Sequence, residues 1–270
     1  MSYFKNKTVL ITGASSGIGA ELARQLYAQK ANIFLLARRS ERLEILANQL
    51  SPEGDRVDWL QVDVTQGGQL EEAVKKVLSR FGSLDIVIAN AGFGVAGNVS
   101  DLKVEDYRRQ FETNVFGVLN TVYATEQALE KSKGQLILLG SVAGFVPLPG
   151  NSAYTMSKFS VRALAKALQY EWKEKGISIT HLAPGFVDSD IRRVDNLGNL
   201  KTDHPDPIPS WIRVPTSVAV TEMIKSIQKR KGEAVITGHG KIIQLFNQHF
   251  PRLIPWVVGT LGLRSRPEPK

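Results

Sequence analysis

The chain has 270 residues, of which 43% are hydrophobic, and it carries a formal net charge of +8 at pH 7. This length and apolar content are sufficient for the core of one large α/β domain. The chain has no cysteine, which excludes disulfides, thiolate metal sites and a cysteine nucleophile. Its first residues, MSYFKNKTV, lack an apolar signal-peptide core, and no apolar run approaches the roughly 18–20 residues that span a bilayer, so we expect a cytoplasmic protein.

Short apolar segments alternate with helix-periodic segments along most of the chain. Strands are predicted at 8–11, 31–39, 56–64, 84–92, 134–144, 177–184 and 233–238. Helices are predicted at 20–29, 42–50, 69–81, 104–130 with an interruption near Gly117, 152–175 and 216–231. This alternation predicts an α/β fold in which helices flank a parallel sheet, and ligands of such sheets bind outside the carboxyl ends of the strands.

The segment VLITGASSGIGAELA begins within the first predicted strand and continues past it, and it fits two interpretations. Residues 13–17 match G-x-S-x-G, the elbow that presents a nucleophilic serine in α/β-hydrolases, and Ser15 would be that nucleophile. The same letters with Gly19 form a glycine turn between a strand and a helix. At such a turn a cofactor phosphate can approach the backbone, near the positive end of the helix dipole.

The position of Ser15 favours the second interpretation. A hydrolase elbow comes well into the sheet and is followed by an acid and then a histidine, whereas Ser15 follows the first strand. The four histidines, at positions 181, 204, 239 and 249, are scattered and show no triad or metal-site context, so each is expected on the surface or in the core and no metal is expected. Ser15 is therefore interpreted as part of a phosphate cradle.

Two arginines follow the second predicted strand, in the segment ARRSER. In NAD-binding sheets an acidic residue often stands there and binds the ribose 2′-hydroxyl, but Ala37 occupies that place in this chain. Arg38 and Arg39 come next, and a guanidinium can bind the 2′-phosphate of NADP with two parallel hydrogen bonds. The alternative is a solvated basic turn; the position after strand two favours NADP(H) over NAD(H).

Polar groups also follow the later strands. Asp63 and Val64 follow the third strand and are candidates for an adenine contact, and Ser141 follows the fifth. Tyr154 and Lys158 stand thirteen and seventeen residues after Ser141, four apart on a predicted helix and hence on one face. A Tyr-x-x-x-Lys pair is common by chance, but here it lies downstream of a serine at the ligand edge of the sheet.

With these features in this order, the sequence resembles the short-chain dehydrogenase/reductase family. The matching pieces, in the order and spacing of that family, are TGASSGIG (12–19), DVT (63–65), ANAG (89–92), Asn114, GSVAG (140–144), YTMSK (154–158) and PG (184–185). They cover residues 7 to about 190 and are specific only in combination. The resemblance implies a single Rossmann-like, doubly wound domain with a seven-stranded parallel sheet flanked by helices.

The resemblance also implies roles for individual residues. Tyr154 would be the general acid/base, Lys158 would bind the nicotinamide ribose and lower the pKa of the tyrosine, Ser141 would hold the substrate oxygen, and Asn114 would support a proton relay through water. The implied cofactor-binding residues are Gly13, Ser15, Ser16, Gly17, Ile18, Gly19, Arg38, Arg39, Asp63, Val64, Asn90, Ala91, Gly92, Tyr154, Lys158, Pro184, Gly185, Val187 and Ser189. Two positions depart from the family pattern: Ala89 replaces the usual first Asn, and Ser189 stands where Thr is frequent.

These features predict an NADP(H)-dependent oxidoreductase that transfers a hydride between nicotinamide and a carbonyl or secondary alcohol. The alternatives are an NAD-dependent alcohol dehydrogenase of the same family and a dinucleotide-binding sensor without turnover. A lipophilic substrate is expected because apolar side chains follow the strands that flank the reaction site; the expected pocket residues are Phe93, Val142, Phe145, Phe186 and Trp211.

The C-terminal part of the chain is basic and rich in large apolar residues. From residue 225 onward it contains nine Lys or Arg and two Glu. We divide the chain into one domain at 1–240, which includes a substrate loop at 186–215, and an extension at 241–270 packed on it. The extension is interpreted as a subunit interface or a cover over the pocket, with peripheral contact to an anionic membrane as the less favoured alternative.

Two further expectations concern partners. The chain has no basic stripe on a recognisable reader motif, so no nucleic acid is expected as a partner. The resemblance implies a homodimer or homotetramer, formed through the two long helices predicted at 104–130 and 152–175.

Overall fold

Seven parallel strands form one sheet at the centre of the molecule. The structure is a computed structural model, which describes residues 2–147, 149–189, 191, 194–198, 206, 208–250 and 252. Within that part of the chain the strands are β1 (Thr8–Thr12), β2 (Asn32–Ala37), β3 (Val57–Gln61), β4 (Ile86–Ala89), β5 (Gln135–Leu139), β6 (Ser178–Ala183) and β7 (Glu233–Val235). Their order across the sheet is β3-β2-β1-β4-β5-β6-β7. The predicted Rossmann-like α/β architecture with seven parallel strands is confirmed.

The central strands are apolar on both faces because helices cover both faces. All five residues of β1 are buried, with Leu10 in one hydrophobic cluster and Val9 and Ile11 in the other. This is the alternation of side chains that a pleated strand imposes. The sequence TVLIT therefore has no polar face.

The helices form one layer on each face of the sheet. Their bounds are α1 (Gly17–Ala28), α2 (Ser40–Leu50), α3 (Gln69–Phe81), α4 (Val104–Phe111), α5 (Gly117–Ser132), α6 (Ser152–Glu171), α7 (Thr216–Gln228) and α8 (Gly238–His249). Buried side chains of α1, α2 and α7 pack in the cluster that contains Ile11. Those of α3, α5 and α6 pack in the cluster that contains Leu10.

The order of the strands places a crevice at the carboxyl end of β1. β1 pairs with β2 on one side and with β4 on the other. The chain therefore builds the sheet in one direction from β1 to β3, and after α3 it returns to build the sheet in the other direction from β4 to β7. Such a switch point is where open parallel sheets bind their ligands. The candidate site is therefore sought at the ends of β1, β2 and β4.

The interruption predicted near Gly117 is present as a π-helical turn at Glu112–Phe116, between α4 and α5. The turn has one residue more per hydrogen bond than an α-helix and brings Asn114 into the interior, where it is buried. Gly117 follows because a Cβ there would lie 2.5 Å from Cγ2 of Val64. The change of helical form thus delivers one side chain to the site.

Helix α8 was not predicted. It spans the predicted boundary between the domain at 1–240 and the extension at 241–270. Its first residues are Gly238, His239 and Gly240, which are poor or indifferent helix formers. The helix begins there because Thr237 caps it, accepting the N–H of Gly240 at 3.2 Å. Parts of the 186–215 loop and residues 251 and 253–270 of the extension lie outside the described residues. Among the described helices none has the length and apolar character to cross a bilayer.

Candidate active site

The turn between β1 and α1 is built from glycines because other backbone crowds it. Gly13 has φ +66° and Gly17 has φ +53°, a region that side chains rarely adopt. A Cβ on Gly13 would lie 2.8 Å from Cα of Ala91, and one on Gly19 would lie 2.5 Å from the carbonyl oxygen of Gly13. The turn is therefore compact, and it leads directly into the amino end of α1.

Asn90 and Thr12 lock this turn to the end of β4. Nδ2 of Asn90 donates to the carbonyl oxygens of Thr12 at 2.8 Å and Gly13 at 3.1 Å. In return, Oγ1 of Thr12 accepts the N–H groups of Asn90 and Ala91, both at 3.0 Å. The Asn90 amide thus supports the cradle from behind.

Arg39 is held against the amino end of α1. Its Nη2 lies 2.8 Å from Oγ of Ser15 and 2.9 Å from Oγ of Ser16, and its Nε lies 3.2 Å from Oγ of Ser15. Ser16 directly precedes the first residue of α1, where the helix dipole is positive. A guanidinium, two hydroxyls and a helix terminus therefore converge, a donor set suited to phosphate. Arg38 next to it is exposed.

A hollow of about 300 Å³ adjoins Arg38 and is lined by Arg38, Gln61, Asp63 and Gln69. Oε1 of Gln69 accepts the N–H of Asp63 at 2.8 Å, and Oδ1 of Asp63 accepts the Thr65 hydroxyl at 2.8 Å. Nε2 of Gln61 donates to the carbonyl oxygen of Arg38 at 3.0 Å. These bonds fix the walls of the hollow, which has the size and hydrogen-bonding groups for a nucleobase. The glycine turn, the arginines and this hollow together fit a dinucleotide.

Val64 contributes differently from the other predicted cofactor residues. Its side chain is buried and packs where Gly117 leaves space, and its carbonyl oxygen accepts Nδ2 of Asn120 at 2.9 Å. The side chain of Val64 is therefore part of the core, and only its backbone is available to a cofactor.

Asn114 clamps the segment after β4 to the first turns of α6. Its Oδ1 accepts the N–H of Phe93 at 3.1 Å, and its Nδ2 donates to the carbonyl oxygen of Phe93 at 3.0 Å and to Oγ of Ser157 at 3.1 Å. Ser157 in turn donates to the carbonyl oxygen of Tyr154 at 2.7 Å. A Cβ on Gly92 would lie 3.0 Å from Oδ1 of Asn114. The side chain predicted for a proton relay is thus engaged in positioning the backbone on both sides of the site.

Tyr154 and Lys158 lie on adjacent turns of α6, as their spacing predicts. Nζ of Lys158 is 5.6 Å from the centre of the Tyr154 ring and donates to the carbonyl oxygen of Leu139 at 2.9 Å. Leu139 is the last residue of β5, so this bond fixes α6 to the carboxyl edge of the sheet. Lys158 is 5% exposed, and burial lowers its pKa from 10.5 to about 8.

Ser141 lies just beyond β5 and caps a single 3₁₀ turn at Val142–Gly144. Its Oγ accepts the N–H of Ala143 at 3.1 Å, which leaves the hydroxyl proton to donate to another acceptor. The turn approaches α6 closely, since a Cβ on Gly144 would lie 2.8 Å from the carbonyl oxygen of Lys158. Ser141, Tyr154 and Lys158 are thereby brought to one edge of the sheet.

The turn after β6 folds back over the glycine cradle. The carbonyl oxygen of Pro184 accepts the N–H of Val142 at 2.9 Å, which ties this turn to the Ser141 segment. Val187 is buried and pairs with Val214 through a backbone bridge. Cβ of Ser189 lies 3.5 Å from the position that a Cβ on Gly17 would take. The residues predicted after β6 therefore border the same crevice as the cradle.

The five residues expected in the substrate pocket have different surroundings. Phe93, Val142 and Phe145 are at most 9% exposed and belong to hydrophobic clusters of the core. Phe186 is half-buried and stacks on a histidine ring of α8. Trp211 is 83% exposed on the surface of the described structure. Of the five, Phe186 is the one whose ring is both partly accessible and part of the turn after β6.

Sequence reasoning missed several side chains that organise the site. Thr12 begins the TGASSGIG motif and Ser157 lies within YTMSK, so both could have been found from motif membership. Gln110, fully buried, accepts the N–H of Val95 at 2.6 Å and donates to the carbonyl oxygen of Phe93 at 2.8 Å, and nothing in its sequence context indicates this. The fourth side chain that the sequence did not point to is that of His239, which accepts the N–H of Phe186 at 2.8 Å.

Comparison with protein families and curated proteins places this arrangement among known oxidoreductases. The model of the family described as short chain dehydrogenase matches residues 7–199. An uncharacterized oxidoreductase of Staphylococcus epidermidis is 34% identical over 202 residues, which cover 74% of this chain and 86% of that protein. One of Staphylococcus aureus is 34% identical over 209 residues, which cover 77% and 90%.

Two solved structures share the architecture. An alcohol dehydrogenase from the archaeon Thermococcus sibiricus, complexed with 5-hydroxy-NADP, aligns with 85% of this chain and 95% of its own, with a TM-score of 0.73 and 30% identity. A short chain dehydrogenase/reductase from Burkholderia phymatum, in complex with NAD, aligns with 100% of this chain and 99% of its own, with a TM-score of 0.82 and 21% identity. The second likeness concerns the fold.

Proposed function

The chain belongs to the short chain dehydrogenase family and is an oxidoreductase of that family, and from this premise we propose that it is an NADP(H)-dependent enzyme acting on a carbonyl or secondary alcohol. The observation that carries the proposal is the Tyr154–Lys158 pair, anchored to the end of β5 and lying at the same sheet edge as Ser141. A dinucleotide-binding sensor would not need this complete set.

The chemistry assigned to each residue follows from its position. When bound, the nicotinamide supplies or accepts the hydride. In reduction the Tyr154 hydroxyl gives its proton to the substrate oxygen and becomes the phenolate; in oxidation the phenolate takes the proton from the substrate hydroxyl. The Lys158 ammonium, next to the Tyr154 ring, favours the phenolate form and so eases that proton transfer. The Ser141 hydroxyl donates to the same substrate oxygen and stabilises the negative charge that grows on it.

The preference for NADP(H) rests on the groups at the end of β2. Ala37 is the last residue of β2, where NAD-binding sheets often place a carboxylate, and Arg38 and Arg39 follow. The contacts of Arg39 with Ser15 and Ser16 hold a guanidinium beside the amino end of α1, where it can bind the 2′-phosphate. The Thermococcus sibiricus alcohol dehydrogenase, which is 30% identical to this chain, was solved in complex with an NADP derivative, which supports the same choice.

We assign the cofactor-binding residues in three groups. The phosphates would lie on the glycine turn and the serines and arginines around it; the adenine would lie in the hollow beside Asp63. The nicotinamide end would lie along residues 90–92 and the turn 184–189. This assignment adds Gln61 and Gln69 to the residues that the sequence pointed to, because both line the hollow.

The substrate is proposed to be a lipophilic aldehyde, ketone or secondary alcohol. The support is the turn after β6, which presents the half-buried ring of Phe186 beside the proposed nicotinamide end. A panel in which only small polar carbonyls are turned over would contradict this part of the proposal.

A homo-oligomer is proposed, with α5 and α6 in the interface. Large apolar side chains on these helices are exposed, with Tyr123 at 67%, Met156 at 50%, Phe159 at 40% and Tyr170 at 80%. Burial of these side chains between copies would remove that apolar surface from water.

The start of the extension is proposed to cover the substrate pocket, of which Phe145 is an expected residue. Nδ2 of Asn247 donates to the carbonyl oxygen of Phe145 at 3.1 Å, and Ile243 packs on the cluster that contains Phe145. The outer face of α8 carries Ile242 and Leu245, each more than half exposed, which keeps attachment to an anionic membrane as an alternative role for the same helix. Co-flotation with acidic liposomes, compared with neutral liposomes, decides between the two.

The experiment that tests the proposed function is a turnover assay with paired cofactors. Purified protein is mixed with NADPH or NADH and a panel of aldehydes and ketones of increasing chain length, and cofactor oxidation is followed. We expect carbonyl turnover to be clearly faster with NADPH than with NADH. Preferential use of NADH indicates the NAD-dependent alcohol dehydrogenase, and tight binding of either cofactor without turnover of any carbonyl indicates the sensor.

A further inference from the structure

His239, the second residue of α8, is built into the turn that follows β6. Its Nε2 lies 2.8 Å from the backbone nitrogen of Phe186, whose N–H donates to it. The two rings stack, with centroids 5.3 Å apart and planes inclined by 20°. The same Nε2 lies 3.0 Å from Oγ1 of Thr237. The imidazole therefore contacts the backbone and the side chain of one residue of the turn.

These contacts determine which tautomer His239 adopts. A backbone N–H can only donate, so Nε2 must accept, and the ring proton of the neutral imidazole resides on Nδ1. Oγ1 of Thr237 already accepts the N–H of Gly240 at 3.2 Å, so its own proton is available for Nε2 as a second donor. Burial lowers the pKa of His239, which favours the accepting, neutral form.

Glycines on both sides make room for this ring. A Cβ on Gly185 would lie 2.4 Å from Nε2 of His239 and 2.3 Å from Oγ1 of Thr237. A Cβ on Gly240 would lie 2.8 Å from Cγ2 of Val142. A Cβ at Gly185 would therefore force the side chains of Thr237 and His239 out of their present places. The fit therefore depends on a close approach between Pro-Gly-Phe of the turn and Thr-Gly-His-Gly at the start of α8.

The turn held by His239 leads directly to the reacting groups. Pro184 accepts the N–H of Val142, the residue after Ser141, and Val187 and Ser189 continue toward the glycine cradle. A shift of the Phe186 backbone would therefore move both the wall beside Ser141 and the segment that faces the cradle. The Nε2 acceptor of His239 thus links the start of α8 to this turn.

We propose that His239 is a positioning residue of the active site: through its Nε2 acceptor it fixes the Phe186 backbone, and with it the wall against which the nicotinamide end and the substrate carbonyl are aligned. This inference rests on the proposed function. It gives α8 a task in catalysis in addition to packing, and it assigns that task to one atom.

The test compares two substitutions of matched length that differ in the acceptor. His239→Gln retains an oxygen near the place of Nε2, His239→Met has none, and both remove the ring. We expect H239M to lower kcat at least tenfold with a panel carbonyl and NADPH. The Kd of NADPH should change less than threefold, because the residues proposed to bind its phosphates and adenine are distant in sequence from His239 and unchanged in this variant. H239Q should recover at least half of the lost factor, on a logarithmic scale.

Each outcome of this comparison decides the matter. Equal kcat in H239M, H239Q and wild type overturns the inference. An equal loss of kcat in both variants also overturns it, with or without a fall in melting temperature, because the acceptor of H239Q then recovers nothing. If H239M does not fold, His239→Phe replaces it, since it keeps a stacking ring and lacks the acceptor. Absence of turnover in the wild type overturns the proposed function itself, and the inference falls with it.

Discussion

The ammonium nitrogen of Lys158 lies 5.6 Å from the centre of the Tyr154 ring, and the carbonyl oxygen of Leu139 accepts its hydrogen bond at 2.9 Å. The Leu139 bond ties the lysine to the end of β5, one residue before Gly140 and two before Ser141. The cation is thus placed by the backbone of the sheet, and its distance from the tyrosine is fixed before any ligand arrives.

This placement has a cost in stability that depends on pH. Burial lowers the pKa of Lys158 from 10.5 to about 8 in the folded chain. Between pH 8 and pH 10.5 the unfolded chain binds more protons at this lysine than the folded chain does. The free energy of unfolding therefore increases as the pH rises, by roughly 3 kcal/mol at most. We expect the stability of wild type relative to Lys158→Met to increase from pH 8 to pH 10, as measured by urea unfolding. A difference that is constant over this interval would contradict the buried, titrating lysine.

Glu233 is expected to make stability depend on pH in the acid range, where its ionised form is the stabilising one. Burial would raise its pKa, but the proximity of His181 and Arg162 outweighs burial and lowers the pKa to about 2. Nε of Arg162 lies 2.9 Å from Oε2 of Glu233, and Nδ1 of His181 lies 3.2 Å from the same oxygen.

The stability that this carboxylate contributes is present above pH 4.5 and is lost as the pH falls toward 2. Wild type should therefore be more stable than Glu233→Gln at pH 6, and the two should converge near pH 2 in chemical unfolding. A gap between them that persists at pH 2 would show that the contribution of Glu233 is not ionic.

Substitution of Asn114 should destabilise the fold as well as the enzyme. Its amide makes three buried hydrogen bonds, so Asn114→Ala is expected to lower the free energy of unfolding by about 3 kcal/mol and to abolish most turnover. Asn120→Ala is the matched control, since that amide makes a bond to the carbonyl oxygen of Val64 and should cost about 1 kcal/mol. Equal costs for the two variants in urea unfolding would show that the clamp on Phe93 adds nothing.

The choice of cofactor should depend on the arginines after β2. We expect Arg38→Ala and Arg39→Ala each to weaken NADPH binding at least tenfold and to leave NADH binding nearly unchanged, because each would remove a proposed charge-assisted contact to the 2′-phosphate. Arg42→Ala, which removes an exposed charge from α2, is the control for general electrostatics. Cofactor fluorescence titrations measure all three. If Arg42→Ala weakens NADPH as much as the other two, the effect comes from net charge and not from a bound phosphate.

Much of the fold could be predicted because apolar periodicity is a property of local sequence. The all-buried strand TVLIT and the amphipathic helix at 69–81 match the structure, since each depends on its own residues and on burial against a layer. The start of α8 could not be predicted in this way. Gly238 and Gly240 disfavour a helix locally, and the helix exists because Thr237 caps it and the glycines let it approach the turn after β6.

The residues proposed to react could be named from motif order, but the supports around them could not. Tyr154 and Lys158 are recognised by their spacing and by Ser141 upstream. The role of the Asn114 side chain depends on a π-helical turn, whose extra residue per hydrogen bond is not marked by any periodicity. His239 is 53 residues from the backbone group that it binds, so only the tertiary structure brings the two together.

The most direct test of the central claim is the turnover of Tyr154→Phe with NADPH and the best carbonyl of the panel. The substitution removes one oxygen from a half-buried ring and leaves Lys158 and the cradle in place. We predict that kcat falls at least a hundredfold, as expected for loss of a general acid, while the Kd of NADPH stays within a few-fold of wild type. A Tyr154→Phe enzyme that reduces the carbonyl as fast as wild type would contradict the assignment of Tyr154 as the proton donor.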